Sequence, residues 1–137
     1  MKFFSLFFAV IIILVVSVSF ADDQGKTPFV ATISPEGIQK VEVVATEFNF
    51  NPSHIIVKVN LPVEITIGKE PSMVPHSFVI NSPDAGMNIN ENLSSEPKVI
   101  KFTPTKAGKY AFYCDKKVLF FKSHRDSGME GLLEVRE

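Results

Sequence analysis

The stretch Tyr110–Val135, YAFYCDKKVLFFKSHRDSGMEGLLEV, holds three side chains of the kind that bind soft metal ions. They are Cys114, which is the only cysteine of the 137-residue chain, His124 and Met129. Tyr110, Phe112 and Cys114 alternate as the inward residues of a β-strand do, and a further apolar segment, EGLLEVRE, ends the sequence. Taken singly, a histidine or a methionine is more often structural than a ligand. Their order on one loop between two strands is more informative than any one of them.

Short segments rich in β-branched residues precede this stretch and are separated by proline and asparagine turns. Strands are predicted at residues 38–52, 54–60, 63–69, 76–82, 98–104, 108–114 and 130–137. This spacing is typical of an all-β sandwich or barrel, and no long amphipathic helix is visible. Residues 82–97, SPDAGMNINENLSSEP, are polar and rich in turn formers, which predicts a long connection.

The N-terminal 21 residues predict a secretory signal peptide. Lys2 precedes an apolar run at residues 3–20, and small residues lead to an expected cut after Ala21. An uncleaved anchor is the alternative, because the run is just long enough to span a bilayer. The expected location is therefore periplasmic or secreted. The predicted divisions that follow are an N-terminal leader at 22–37 and a folded domain at 38–137.

Charge and cysteine content exclude some classes of function. The formal net charge is −1 and no basic stripe occurs, so nucleic acid is not expected as a partner. A single cysteine cannot form an internal disulfide. In an exported protein, Cys114 is therefore either buried and inert or bound to a metal as a thiolate.

Several segments resemble the cupredoxin family, the group of plastocyanin and azurin. They are ATEFNFNPSHIIVKVNLPVEITI (45–67), VPHSFVI (74–80), FTPTKAGKYAFYC (102–114), the histidine at 124 and GMEGLLEV (128–135). The resemblance implies a Greek-key β-sandwich or barrel of the cupredoxin type that holds one mononuclear copper ion. It implies the ligands His76, Cys114, His124 and Met129, and it gives His54 no such role.

The resemblance also implies a function. A protein of this kind transfers single electrons between periplasmic or membrane redox partners, such as a cytochrome or a terminal oxidase, and is not an enzyme. We expect a monomer, with no membrane contact beyond the signal segment.

Four other interpretations stay open. The first is a periplasmic copper carrier or assembly factor that delivers copper to an oxidase. The second is a red, non-blue copper site with a carboxylate ligand, for which Glu70 is the nearest candidate. The third is zinc bound by the same cysteine and histidines, although methionine is a poor zinc ligand. The fourth is a metal-free β-sandwich adhesion module.

The chain departs from the family pattern between Cys114 and His124. Nine residues, DKKVLFFKS (115–123), separate the two, which is more than is usual in the family. One interpretation is a docking surface in which an apolar patch with a basic rim receives an acidic redox partner. The other is that Leu119 and Phe121 fold inward and cap the metal.

Two residues next to the ligands are expected to affect the site, and a third residue is expected to anchor a turn. Ser77 stands where the family often has an asparagine that ties the ligand loops together, and its hydroxyl can donate one hydrogen bond. Asp115 would favour an oxidised metal unless Lys116 or Lys117 offsets its charge. Tyr110, which follows a turn, is expected to act as a tyrosine-corner anchor.

Overall fold

The computed structural model describes residues 27–137, which form two packed β-sheets. The strands are β1 (Phe29–Val30), β2 (Thr32–Ile33), β3 (Gln39–Ala45), β4 (Phe50–Asn51), β5 (His54–Lys58), β6 (Val63–Lys69), β7 (His76–Ser82), β8 (Met87–Leu93), β9 (Lys98–Phe102), β10 (Gly108–Tyr113) and β11 (Glu130–Arg136). The predicted signal peptide lies outside the described residues. From residue 27 onward, no helix has the length and apolar character that crossing a bilayer requires.

The larger sheet has the strand order β1-β5-β11-β10-β7-β8, and the smaller has the order β2-β3-β6-β9 with β4 paired to β3. Strand β10 runs antiparallel to both β7 and β11, whereas β5 pairs with β11 in parallel. The prediction of an all-β sandwich is thus confirmed. The pairing places the start of β7, the end of β10 and the start of β11 at the same end of the larger sheet.

Alternation along the strands builds the core between the sheets. In β3, Val41, Val43 and Ala45 are buried, while the residues between them are exposed. This pattern follows from the period of two that places successive side chains on opposite faces of a sheet. The buried apolar residues of the described chain lie between Ala31 and Val135. The described residues therefore contain a hydrophobic core of their own.

The prediction of a long connection at residues 82–97 was wrong. A single 3-10 turn at Pro83–Ala85 leads into β8, which pairs antiparallel with the whole of β7. Met87, Ile89 and Leu93 are buried, and asparagines occupy the outward positions between them. The polar composition therefore reflects an edge strand that is apolar on one face only. Asparagine has a low strand propensity, and this concealed the alternation.

The first two strands fall within residues 22–37, the range predicted as a leader. Strand β1 pairs in parallel with β5, and β2 pairs antiparallel with β3. The sheets therefore begin at Phe29, ahead of the predicted domain boundary at residue 38.

Three aromatic rings of the core pack against one another. Phe50, Phe78 and Phe112 have ring centroids 5.2 to 5.7 Å apart, within the range of about 4.5–7 Å that aromatic pairs prefer. Gly131 leaves the room that one of these rings needs, since a Cβ there would stand 2.2 Å from Cζ of Phe112. A side chain at position 131 is therefore incompatible with this packing.

The tyrosine-corner expectation for Tyr110 also agrees with the structure. Its hydroxyl donates to the main-chain oxygen of Lys106 at 2.9 Å. This bond fixes the turn between β9 and β10 at the end of the sandwich opposite the C-terminus of β10.

Candidate metal centre

Three of the four predicted ligands meet at one end of the sandwich. The donor atoms of His76, Cys114 and His124 all lie within 4.8 Å of one another. Cys114 Sγ is 3.5 Å from Nδ1 of His124 and 4.0 Å from Nδ1 of His76. The three side chains are buried, with exposures of 2%, 0% and 3% in the order of the sequence. The cluster is thus compact and shielded from water.

The strands themselves aim two of these side chains inward. His76 is the first residue of β7 and stands two positions before the buried Phe78. Cys114 follows the end of β10 and stands two positions after the buried Phe112. Residues two apart share a face of a sheet, so each donor is on the same inward face as one of the core phenylalanines. Rigid aromatic packing therefore supports the cluster from below.

His124 reaches the cluster despite the nine residues that separate it from Cys114. Its main-chain N–H donates to the oxygen of Lys116 at 2.9 Å, and Lys117 forms an isolated antiparallel bridge with Ser123. The chain thus leaves the site after Lys116 and returns to the same point. The additional residues project outward and do not displace the imidazole.

The main chain of Met129 forms hydrogen bonds with the main chains of both Cys114 and His124. Its N–H donates to the oxygen of His124 at 2.9 Å, and its oxygen accepts the N–H of Cys114 at 3.1 Å. The side chain is fully buried. Cys114, His124 and Met129 are therefore linked directly through backbone hydrogen bonds at the cluster.

Ser77 and Asp115 tie the two chain segments that carry the donors. The main-chain N–H of Ser77 donates to Cys114 Sγ at 3.3 Å. The Ser77 hydroxyl donates to Oδ1 of Asp115 at 2.6 Å and accepts the Asp115 N–H at 3.0 Å. Lys116 Nζ lies 3.9 Å from the same carboxylate oxygen. The expected hydrogen bond of Ser77 is present, and it joins the residue after His76 to the residue after Cys114.

Burial keeps both histidines in the neutral form that a metal requires. Desolvation lowers the pKa of His76 from 6.5 to about 4, and the positive charges of a protonated His124 and of Lys69 act in the same direction. Desolvation also lowers the pKa of His124. Both imidazoles are therefore uncharged near neutral pH, with a nitrogen lone pair available for a metal.

A groove of 390 Å³ lies over the outer side of His124. It is lined by Phe48, Val74, Val118, Phe121, Lys122, His124 and Ser127. Phe48 packs edge-on against the His124 ring with centroids 5.5 Å apart. Sequence reasoning did not single out Phe48 or Val74. The only signal for them was their position in the loops before β4 and β7, which end beside the cluster.

Of the two interpretations of the segment between Cys114 and His124, the one in which Leu119 and Phe121 fold inward over the metal does not agree with the structure. Leu119 is 78% exposed, Phe120 is 100% exposed and Phe121 is 70% exposed. The alternative interpretation, an exposed apolar patch beside the cluster, agrees with the structure.

The remaining candidate residues lie apart from the cluster. The group of donors found within residues 27–137 contains no carboxylate, and Glu70 is an exposed residue outside it. His54 Nε2 is 2.9 Å from Oε2 of Glu134, at the pairing of β5 with β11. That histidine is therefore engaged elsewhere in the larger sheet.

The donor set fits copper. A nitrogen and a sulfur that share one ion, with bonds of about 2.0 and 2.3 Å, lie roughly 3.5–4 Å apart. The two Cys114–His separations are of this size. One thiolate and two imidazoles with a nearby methionine are the donors of mononuclear copper electron-transfer sites. Zinc fits less well, since its sites seldom use a thioether.

Comparisons with known proteins point the same way. The sequence model of the family described as "Cupredoxin-like domain" matches residues 7–124. No curated protein sequence matches the chain. Among solved structures, the metal-binding domain of the Cu(I)-exporting P-type ATPase CopA of Streptococcus pneumoniae D39, determined with Cu(I), is similar. It has 26% identity and a TM-score of 0.63 over 82% of this chain and 98% of that one.

Two further solved structures share the fold. A copper-binding protein in its apo form has 25% identity and a TM-score of 0.61, over 82% of this chain and 100% of that chain. The dithionite-reduced auracyanin of the photosynthetic bacterium Roseiflexus castenholzii has 18% identity and a TM-score of 0.59. That alignment covers 78% of this chain and 99% of that one.

Proposed function

The chain belongs to the cupredoxin-like domain family, and from that premise we propose that it is an exported electron carrier with one copper ion per chain. The observation that carries the proposal is the buried cluster of His76, Cys114 and His124, whose donor atoms lie within 4.8 Å of one another. A carrier of this kind transforms no substrate, so the protein is not proposed to be an enzyme.

Each donor has a distinct part in this proposal. Cys114 would supply the strong thiolate ligand, His76 and His124 would supply Nδ1 lone pairs, and Met129 would supply a weak thioether. A copper ion held by these residues would supply the one-electron chemistry that such a carrier needs. Because Ser77 donates its N–H to Cys114 Sγ, part of the negative charge of the thiolate is offset by a main-chain dipole.

The rigidity of the cluster suits electron transfer. His76 and Cys114 are fixed by strands over the core phenylalanines, and the Ser77–Asp115 hydrogen bonds join the two segments. Donors that cannot move far impose a similar geometry on both oxidation states. A small rearrangement on gain or loss of an electron favours a fast transfer.

His124 offers the route by which the electron would leave. Its ring is buried but lines the groove that also includes Phe48 and Val118, so this groove is where the surface comes close to the donors. A redox partner such as a cytochrome or a terminal oxidase would dock over this groove. We keep the predicted periplasmic or secreted location and the monomeric state as parts of the proposal.

A copper carrier that delivers the ion to another protein is the second candidate. The observation in its favour is the similarity to the metal-binding domain of a Cu(I) exporter and to a copper-binding protein. The burial of all three donors argues for retained copper, since a carrier must hand its ion over through an accessible ligand.

The visible and paramagnetic spectra after addition of Cu(II) test the proposal. With Asp22–Glu137, we expect an intense sulfur-to-copper band that disappears on reduction and in Cys114→Ser. Transfer of copper to an apo-partner within the time of mixing, with no stable reduced form, would favour the carrier. A metal content that is indifferent to Cys114→Ser would leave the metal-free adhesion module as the remaining interpretation.

A further inference from the structure

The segment between Cys114 and His124 ends in an apolar tip, which we define as residues Val118–Phe121. Phe120 is completely exposed, Leu119 and Phe121 expose at least 70% of their surface, and Val118 is 37% exposed. Single exposed apolar residues are common on protein surfaces, but a contiguous group of this kind marks an interaction site. The bridge between Lys117 and Ser123 closes the base of the tip.

Lysines flank the tip on both sides. Lys116 and Lys117 precede it and Lys122 follows it, while residues 116–123 contain no carboxylate. Two carboxylates lie near these lysines: Asp115 is 3.9 Å from Lys116 Nζ, and Asp126 has its pKa lowered by the Ser123 hydroxyl and in part by the charges of Lys117 and Lys122. Within the described chain, Lys117 and Lys122 form no ion pair. The tip is therefore an apolar projection with a collar of three lysines, whose positive charge Asp115 and Asp126 offset in part.

We propose that this tip inserts into the interface of a membrane that carries anionic lipids. Phenylalanine and leucine enter the boundary between headgroups and acyl chains, and nearby lysines attract anionic headgroups while their stems follow the apolar surface. Two weak signals of this kind act together, so the contact is reversible and depends on ionic strength.

The residue types favour lipid over an acidic protein partner. Binding hot spots between proteins are enriched in tryptophan, tyrosine and arginine, which combine apolar area with directed hydrogen bonds. The tip has none of these, and its cations are lysines, which act as hydrated point charges. Arg125, the nearest arginine, already lies over the Tyr113 ring and pairs with Glu130. The tip is also a projection, whereas a protein interface needs a broad complementary surface.

Insertion of the tip would turn the His124 groove toward the membrane. Val118, Phe121 and Lys122 belong both to the projecting segment and to the groove. The metal end of the protein would then face membrane-bound partners. This inference revises the expectation of no membrane contact beyond the signal segment, and it does not depend on which metal the cluster binds.

A single-tryptophan reporter tests the insertion, since the chain has no tryptophan of its own. Phe120→Trp is made in Asp22–Glu137, because the apolar run at residues 3–20 would bind lipid by itself and residues 31–135 carry the whole described core. Vesicles of phosphatidylcholine with one third phosphatidylglycerol should shift the indole emission to the blue. Brominated acyl chains in the same vesicles should quench it. The matched reporter Val99→Trp, on the edge strand β9 of the smaller sheet, should show neither change.

Lysine variants of the Phe120→Trp protein distinguish an effect of the lysines beside the tip from an effect of the net charge of the protein. Lys117→Gln with Lys122→Gln should lower the partition coefficient about thirty-fold, whereas Lys106→Gln with Lys109→Gln at the opposite end should leave it nearly unchanged. An unshifted emission with these vesicles, or an equal loss in both pairs, would overturn the proposal. A blue shift of the indole emission that occurs with an acidic cytochrome but not with vesicles would mean that the tip binds a protein and not a membrane.

Discussion

The Ser77 hydroxyl donates to the Asp115 carboxylate at 2.6 Å and accepts the main-chain N–H of the same residue at 3.0 Å. The two residues are 38 positions apart, and each directly follows a donor of the cluster. This reciprocal pair therefore fixes the distance between the segments that carry His76 and Cys114. It takes the place of the asparagine that the family often has at the position of Ser77.

Loss of this pair should destabilise the metal-free domain. Ser77→Ala is expected to lower the free energy of unfolding by about 1–2 kcal/mol, because it leaves the Asp115 N–H and carboxylate without their partner. Denaturant unfolding of the metal-free protein measures the change. The control is Ser82→Ala on the same strand, since the Ser82 hydroxyl makes no hydrogen bond to any described residue. Equal losses of stability in Ser77→Ala and Ser82→Ala would show that the Ser77–Asp115 hydrogen bonds do not stabilise the domain.

The charge of Asp115 should stabilise the oxidised form of the proposed copper site. Asp115→Asn keeps an acceptor for the Ser77 hydroxyl but removes a negative charge next to the thiolate, so the reduction potential should rise. The nearby Lys116 offsets part of this charge, which limits the increase. Redox titration of the copper-loaded protein measures the potential. Asp84→Asn, on the exposed turn between β7 and β8, is the control and should leave the potential unchanged.

The segment between Cys114 and His124 should be removable without damage to the cluster. The Lys117–Ser123 bridge closes the projection below residues 118–122. Replacing those five residues by Asn-Gly leaves a two-residue hairpin turn at the bridge. We expect an unchanged sulfur-to-copper band and copper stoichiometry in this variant. A displaced or weakened band would mean that the tip helps to position His124.

The projecting segment also shows what the sequence could and could not predict. The resemblance to the cupredoxin family implied His76, Cys114 and His124 as ligands, and these side chains do meet. That the nine residues between Cys114 and His124 form a closed projection depends on the main-chain hydrogen bond from His124 to Lys116 and on the Lys117–Ser123 bridge, which the side-chain pattern does not record. For the same reason, the sequence could not decide whether Leu119 and Phe121 pack inward.

Strand β8 was missed for a different reason. Its inward residues alternate correctly, but Asn88, Asn90 and Asn92 occupy its outward face. Asparagine is common in turns and rare in strands, so composition outweighed periodicity. Pairing with the apolar β7 supplies the stability that the local sequence lacks. The short strands β1 and β2 have only two residues each, too few to show any period.

The thioether of Met129 should tune the proposed copper site without being needed for copper binding. Met129→Leu keeps the volume and burial of the side chain but removes its weak thioether donor. Since this donor stabilises the oxidised ion more than the reduced one, its loss favours the reduced ion. The variant should retain one copper and its intense band, with a higher reduction potential. Met87→Leu, another fully buried methionine, is the matched control and should leave the potential unaltered. Loss of copper from Met129→Leu would show that the thioether is a principal ligand.

The stability of the metal-free domain should fall when the pH falls from about 6.5 to about 4. Burial lowers the pKa of His76 from 6.5 to about 4 in the folded state, so the unfolded chain binds a proton more readily over this interval. The unfolded state is therefore favoured progressively as the pH falls, and the contribution is fully regained above the unfolded pKa. His124, whose pKa burial also lowers, acts in the same direction. Denaturant unfolding at a series of pH values measures this slope, and His76→Gln, which cannot titrate, should flatten it. A slope that is the same in both proteins would mean that His76 is not the group whose protonation is linked to folding.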